Sequence, residues 1–312
     1  MPDTAPPESP APPESPAVPT PAVPAPAAPA AVPRGAVPPT ALSPVALWTA
    51  AAHAAEFGRA VPYVRDPWAA DFLHAAGFRG GPPGDGPLRR LLPDWAVVRS
   101  RFFDEELLAA ARSGCRQVVL LGAGLDTRAH RLDWPRGVQV FEVDEPAVLR
   151  FKDRVLDGER PTCGRRTTVA ADPAGGSLRE ALLAAGLDPR RPTVWLAETL
   201  LYHLDPAAVE PIVGTATELS APGSIFAAEC VNAQETASAF VAPFLDALSA
   251  TGVHWLWQLA EPEVWWAGRG WDARVADLFT LPYVMERLAP HLPLLTEAAA
   301  RCVFLTTGTL RR

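Results

Sequence analysis

Between Gln117 and Val231 two patterns of apolar residues take turns along the chain. QVVLLG (117–122), VQVFEVD (138–144), RTTVAAD (166–172), PTVWLAE (192–198) and SIFAAECV (224–231) are short, β-rich and nearly continuous apolar runs. Such runs suit strands covered on both faces, as in a parallel sheet. The stretches between them, EPAVLRFKDRVL, GSLREALLAAG and DPAAVEPIVGTATELS, have helical spacing. Strand–helix alternation demands right-handed crossovers and predicts an α/β fold with an open, doubly wound, mostly parallel sheet.

Upstream, TALSPVALWTAAAHAAEF predicts a first helix, with Ser43 as its cap and Pro44 in its first position. RDPWAADFL (65–73) predicts a second, and GFRGGPPGDGP (77–87) reads as a loop. In PDWAVVRSRFFDEELLAAARSG, Trp95, Val98 and Phe102 recur at helical spacing, with Asp94 able to cap the start and Gly114 able to end it. The first helix (41–57) is expected to cover a ligand as an N-terminal helical lid. Downstream, the chain is predicted to turn at Gly268 and Gly270 into a strand, and RCVFLTTGTL is a last strand candidate. HWLWQLAEPEVWWAGRGW (254–271) holds Trp255, Trp257, Trp265, Trp266 and Trp271, half of the ten tryptophans. These rings either wall an apolar pocket or pack a helix and strand on the sheet.

Composition changes this picture at one end. Residues 1–39 are almost all Pro, Ala, Val, Ser and Glu, and PPESP occurs twice. Proline removes backbone donors and small side chains bury little surface, so a disordered, partly polyproline-like tail is expected there. Residues 40–312 are expected to form one catalytic domain. The net charge of -7 argues against nucleic acid as a partner. No apolar run reaches the length of a membrane span, and no secretory leader is visible. Cys115, Cys163, Cys230 and Cys302 are scattered, without a CxxC or a nearby histidine. They read as free thiols of a cytoplasmic protein, and no metal site is expected. A monomer or homodimer is expected.

Three consecutive strands end in an acid: Asp144, Asp172 and Glu198. In an open α/β sheet, ligands bind beyond the carboxyl ends of the strands, so these acids and the turn after the first strand should share a crevice. That turn reads Gly122-Ala123-Gly124-Leu125-Asp126-Thr127. Thr127 stands where the third glycine of a dinucleotide fingerprint belongs, and the lysine of a phosphate loop is missing. Asp126, just beyond the glycines, would repel a phosphate and tolerate a cation. Asp144 follows at the distance where such folds hold ribose hydroxyls. The ligand therefore reads as a positively charged nucleoside without phosphate. S-adenosylmethionine fits that description better than NAD.

RSRFFDEEL, VVLLGAGLDTRAHRLDWPRGVQVFEVDEPAVLRFKDRVL and WLAETLLYHL resemble the leucine carboxyl methyltransferase family, which includes bacterial O-methyltransferases of secondary-metabolite pathways. The resemblance runs from about Ala41 to the C-terminus and is weakest over 80–92 and 232–300. It implies a class I methyltransferase fold and S-adenosylmethionine as methyl donor. It places Arg99, with Arg101 as the alternative, on the methionine carboxylate. Gly122 and Gly124 become the close-approach glycines, Asp144 the ribose acid, and Glu198 the acid near the methionine amino group. Asp172 falls where the family contacts adenine with an Asp-Leu pair, but Pro173 replaces the leucine. The family's basic residue in the first helix is His53 here, and its Met-Tyr pair after the fourth strand is Tyr202-His203.

The implied reaction is an in-line displacement at a sulfonium methyl, onto a carboxylate or a hydroxyl of a small-molecule acceptor. A carboxylate needs no base; a hydroxyl does, and His203, His53, His254 and Tyr202 are the candidates. No Ser-His-Asp arrangement with a nucleophile elbow is legible, so covalent catalysis is not expected. A dinucleotide-dependent oxidoreductase and a catalytically inactive binding module are the competing readings.

Overall fold

The computed structural model describes residues 42–84, 86–239, 241–291 and 303–311. The expected tail, 1–39, lies outside them. The strands are β1 (Gln117–Leu121), β2 (Gln139–Asp144), β3 (Arg165–Ala170), β4 (Thr193–Ala197), β5 (Ile225–Val231), β6 (Trp271–Val275) and β7 (Val303–Leu310). They form one sheet in the order β3-β2-β1-β4-β5-β7-β6. β1 to β5 pair in parallel, while β7 runs antiparallel to both β5 and β6. The chain reverses its direction of winding between β1 and β4, which is where an open sheet of this kind leaves its crevice.

The helices are α1 (Pro44–Phe57), α2 (Ala69–Ala76), α3 (Pro87–Arg112), α4 (Arg128–Arg131), α5 (Pro146–Val155), α6 (Leu178–Ala184), α7 (Pro206–Glu218), α8 (Ala242–Ser249), α9 (Pro262–Ala267) and α10 (Pro282–Leu288). Successive strand residues point to opposite faces, and the core divides accordingly. Val119, Leu121, Phe141 and Trp195 pack with Leu182 of α6 and Ile212 of α7. Val118, Leu120, Val140 and Leu196 pack with Val98, Phe103 and Leu107 of α3 and Val284 of α10. Both faces are thus sealed, which is why the strands read as apolar throughout. β3, at the sheet edge, is the exception and carries exposed polar positions.

Two sequence expectations need correcting. α3 begins at Pro87, seven residues before Asp94, and carries Pro93 inside it. Leu88 and Leu91 pack into the core beneath α3, and that burial carries the helix through a proline that removes one helical bond. Asp94 does not cap; its carboxylate lies 2.8 Å from Nε2 of His291 and 3.4 Å from Arg287. The tryptophan stretch divides between the two readings, mostly as packing. Trp257, Trp266 and Trp271 are buried in the α6–α7 core and Trp265 packs against it. Trp255 also lines a cavity.

α1 starts as expected: Ser43 Oγ accepts from the Val45 amide, with Pro44 in the first turn. It packs across α2 and α3 and its Ala46 lies beside the turn after β1.

Candidate active site

The turn after β1 needs glycine for two reasons. Gly122 and Gly124 take φ values of 61° and 41°, a region that L side chains enter at a cost. A Cβ on Gly122 would also stand 3.0 Å from Leu200 Cδ1, and one on Gly124 would stand 3.6 Å from Ala46 Cβ of α1. The backbone is therefore left bare beneath α1. Asp144 Oδ2 accepts from the Gly124 amide at 2.6 Å, and its Oδ1 from Glu145 at 2.7 Å. Burial pushes this carboxyl above its ordinary value, with the two amides pulling the other way.

A cleft of about 610 Å³ opens over the turn. Six of the expected site residues line it together: His53, Arg99, Gly122, Gly124, Asp126 and Glu198. Arg99 Nε donates to Glu198 Oε1 at 2.7 Å, Ser100 Oγ donates to the same oxygen at 2.9 Å, and Arg128 Nη1 lies 2.6 Å from Oε2. Burial alone would raise the Glu198 carboxyl, but Arg128 and Arg99 hold it far below the usual carboxylate range. Burial likewise works against both guanidinium charges, and the surrounding carboxylates more than offset it.

Asp126 departs from its sequence reading. Its Oδ1 accepts from the Arg128 amide at 2.7 Å, and its Oδ2 lies 2.5 Å from Arg128 Nη1. Its charge is matched by Arg128, so the argument that Asp126 repels phosphate is weaker than the sequence suggested. Asp172 is exposed, accepts from the Ala174 amide at 2.8 Å and is not among the cleft's lining residues. His53 Nε2 stands 3.0 Å from Ser100 Oγ, and its Nδ1 stands 3.3 Å from Asp66 Oδ2. That line of Asp66, His53 and Ser100 was not legible in the sequence. The Ser100 hydrogen is given to Glu198, so the hydroxyl is not paired with a base as a nucleophile would be.

Arg99 and Thr49 also line a second, larger cavity of about 1130 Å³ including its open mouth. Its walls are apolar: Trp48 of α1, Leu88, Leu92 and Trp95 of α3, Phe244 of α8, Trp255, and Val284 and Leu288 of α10. The polar groups facing it include Tyr202, His203 and Glu229. Tyr202 Oη donates to Glu229 Oε2 at 3.0 Å, and the Thr199 amide donates to the same oxygen at 3.2 Å. Thr199 holds a φ of 51°, the only positive value outside glycine among the described residues, and strained backbone of this kind concentrates at functional sites. His203 Nδ1 lies 2.8 Å from the His254 carbonyl and must donate to it, leaving Nε2 unprotonated and, among the described residues, unpartnered. Burial lowers the His203 pKa to about 4. His254 itself is exposed, beside Ser249, and is not among the cavity's lining residues.

The sequence reading missed Glu229, Ser100, Arg128 and Arg131 as site residues. The two arginines had a signal: three apart in DTRAHR, they share a helix face, and both line the cleft over the glycine turn. Glu229, inside the apolar run of β5, had none beyond being a charge among buried positions.

The sheet order is that of a class I methyltransferase fold, and its family and relatives make the chain an S-adenosylmethionine-dependent methyltransferase. The chain belongs to the leucine carboxyl methyltransferase family, whose sequence model matches residues 46–217. A protein of Mycobacteroides abscessus, named for S-adenosyl-L-methionine-dependent methyl transfer, is 38% identical over 269 residues, covering 78% of this chain and 84% of its own. Two solved structures share the fold. A DUF574 family protein from Streptomyces avermitilis has a TM-score of 0.56 at 14% identity, covering 84% of this chain and 97% of its own. A structure from Thermobifida fusca titled as a methyltransferase has a TM-score of 0.52 at 18% identity, covering 89% and 97%.

Proposed function

We propose that the chain transfers a methyl group from S-adenosylmethionine to an oxygen of an apolar small-molecule acceptor of secondary metabolism. The observation that carries this reading is the meeting of two unlike cavities at Arg99. One is lined by charged side chains and the glycine turn; the other is walled by apolar side chains and measures about 1130 Å³ including its open mouth. Bound in the polar cleft, S-adenosylmethionine supplies an electrophilic methyl on a sulfonium.

The residues present fit that donor. Gly122 and Gly124 take up the left-handed turn that lines the cleft, and leave its backbone without side chains for an adenosine to approach. Asp144 keeps lone pairs for ribose hydroxyls while anchoring the turn through Gly124. Arg99 faces the methionine carboxylate and Glu198 the amino group, each already held rigid by the other. Asp172 is exposed and does not line the cleft, so its contact with adenine rests on the family resemblance alone. His53 steadies Ser100 at the donor side, while Tyr202 and His203 face the acceptor. The apolar walls exclude water, which favours a step in which charge is lost.

Calorimetry tests the donor assignment. S-adenosylmethionine is expected to bind the full chain and NAD to give no heat. Asp144→Ala is expected to weaken the donor at least tenfold, about 1.4 kcal/mol or more, because charge-assisted hydrogen bonds are lost. NAD binding with the sulfonium donor excluded would reverse the reading.

A further inference from the structure

Glu229 is the one carboxylate among the described residues lining the apolar cavity, and it is 1% exposed. It stands on β5, and four groups close round it. Trp95 Nε1 donates to Oε1 at 3.1 Å, and Arg99 Nη1 lies 3.6 Å from the same oxygen. The Thr199 amide and Tyr202 Oη take Oε2. Burying a carboxylate beside an apolar cavity is costly; here both oxygens are taken by neutral donors, and Arg99 stands 3.6 Å away as counter-charge.

The charges around the cavity also bear on the acceptor. Arg99 is the one guanidinium lining it, and it is already shared between Glu198 and Glu229. His203 is neutral at physiological pH. Apart from the donor's sulfonium, the cation an acceptor carboxylate would meet here is Arg99, already flanked by two carboxylates in low-dielectric surroundings that strengthen their repulsion of a third. A neutral hydroxyl meets no such opposition, but it must lose a proton.

We propose that the acceptor group is a neutral hydroxyl, and that its proton leaves through Tyr202 to Glu229. This rests on the methyl-transfer reading above. The acceptor O–H donates to Tyr202 Oη, whose own hydrogen already points at Glu229 Oε2. As the acceptor's O–C bond forms, the C–S bond breaks and its electron pair stays on sulfur. The acceptor's proton passes to Tyr202 Oη and the tyrosine's proton to Glu229. A cationic donor, a neutral hydroxyl and a carboxylate become a thioether, an ether and a carboxylic acid, so charge and protons balance. A carboxylate suffices as the sink because a hydroxyl oxygen becomes strongly acidic once the methyl begins to bond to it. Burial, foremost, raises the Glu229 carboxyl, which improves it as a proton acceptor. Tyr202 is the catalytic residue, and Glu229 acts through it.

The test uses the full chain, methyl-labelled S-adenosylmethionine and a metabolite extract of the organism carrying the gene, followed by mild alkali. Label that survives alkali excludes an ester, and mass-spectrometric fragmentation that places it on oxygen, not nitrogen or carbon, supports the proposal. Label released by alkali marks an ester and overturns it, leaving methyl transfer intact. Failure of the donor to bind the full chain would instead overturn the reading of methyl transfer on which the proposal rests.

With the labelled product in hand, Tyr202→Phe is expected to lower kcat at least 100-fold, with donor affinity unchanged and the acceptor KM within threefold. Glu229→Asp should restore part of what Glu229→Gln loses. Wild-type kcat should fall as the pH drops and Glu229, facing Arg99, Glu198 and Tyr202, takes up a proton; Glu229→Gln should lack that limb. Should Glu229→Gln not fold, Tyr202→Phe alone decides. Full kcat in Tyr202→Phe, with activity lost in His203→Asn instead, would hand the proton to His203 and overturn the relay.

Discussion

Glu198 keeps its charge where burial works against it, because two guanidiniums surround it. Replacing it with glutamine leaves Arg99 and Arg128 short of a counter-charge. Breaking a buried pair in this way costs roughly 3–5 kcal/mol, so the urea midpoint of Glu198→Gln should fall markedly. A midpoint within error of the native chain would show the pair to be worth little. The same depressed pKa makes this contribution available at neutral pH and removes it as the pH falls below the usual carboxylate value. Two histidines behave in a related way: burial, foremost, lowers both His130 and His203 to about 4. The unfolded chain takes up those protons first, so folding loses about 1.4 kcal/mol per pH unit for each histidine as the pH falls from about 6.5 towards 4. Imidazole NMR should find His130 and His203 still neutral at pH 5. It follows that a rate flat from pH 6 to 9 does not by itself exclude a histidine base, since His203 would not titrate in that range.

At the level of elements, the five parallel strands and the helices between them were legible because each obeys its own period. A strand covered on both faces is apolar at every position, and the crossovers leave few ways to join such strands. The start of α3 was not legible, because its prolines and glycine-rich approach read as a loop while the burial of Leu91 that holds it comes from elements far along the chain. The glycine turn was legible in kind; that α1 lies over it was expected, but the Ala46 contact that fixes how closely was not. Gly122→Ala tests this junction. The left-handed φ costs about 1–2 kcal/mol for an alanine, and Leu200 must give way as well. Both thermal stability and donor affinity should fall. Gly137→Ala, with a φ of 80° and no atom within 4 Å of a new Cβ, should lower stability and leave donor affinity as it was. Equal loss of donor affinity in both would show that crowding at the turn plays no part.

Across the whole molecule, the donor cleft was far more legible than the acceptor cavity. The glycine turn after β1 and Glu198 after β4 lie at the ends of adjacent strands, so strand order brings them together, while His53 and Arg99 come in from α1 and α3. The cavity draws its walls from α1, α3, α8 and α10, which are spread from Val45 to Leu288 and meet only through tertiary packing. None of those positions is unusual in sequence; an apolar helix face reads the same whether it covers a core or a ligand. Tyr202 and His203 were singled out by their place after β4, and they do face the cavity. Glu229, which ties Tyr202 to Arg99, was hidden inside a strand.

Arg99 and Thr49 form a party wall between the two chambers, and whatever moves the wall is felt on both sides. If the nucleoside tightens the fit of its co-substrate by some factor, thermodynamic reciprocity obliges the co-substrate to tighten the nucleoside's fit by the same factor. Occupancy on one side thereby becomes information on the other, carried by these two shared side chains.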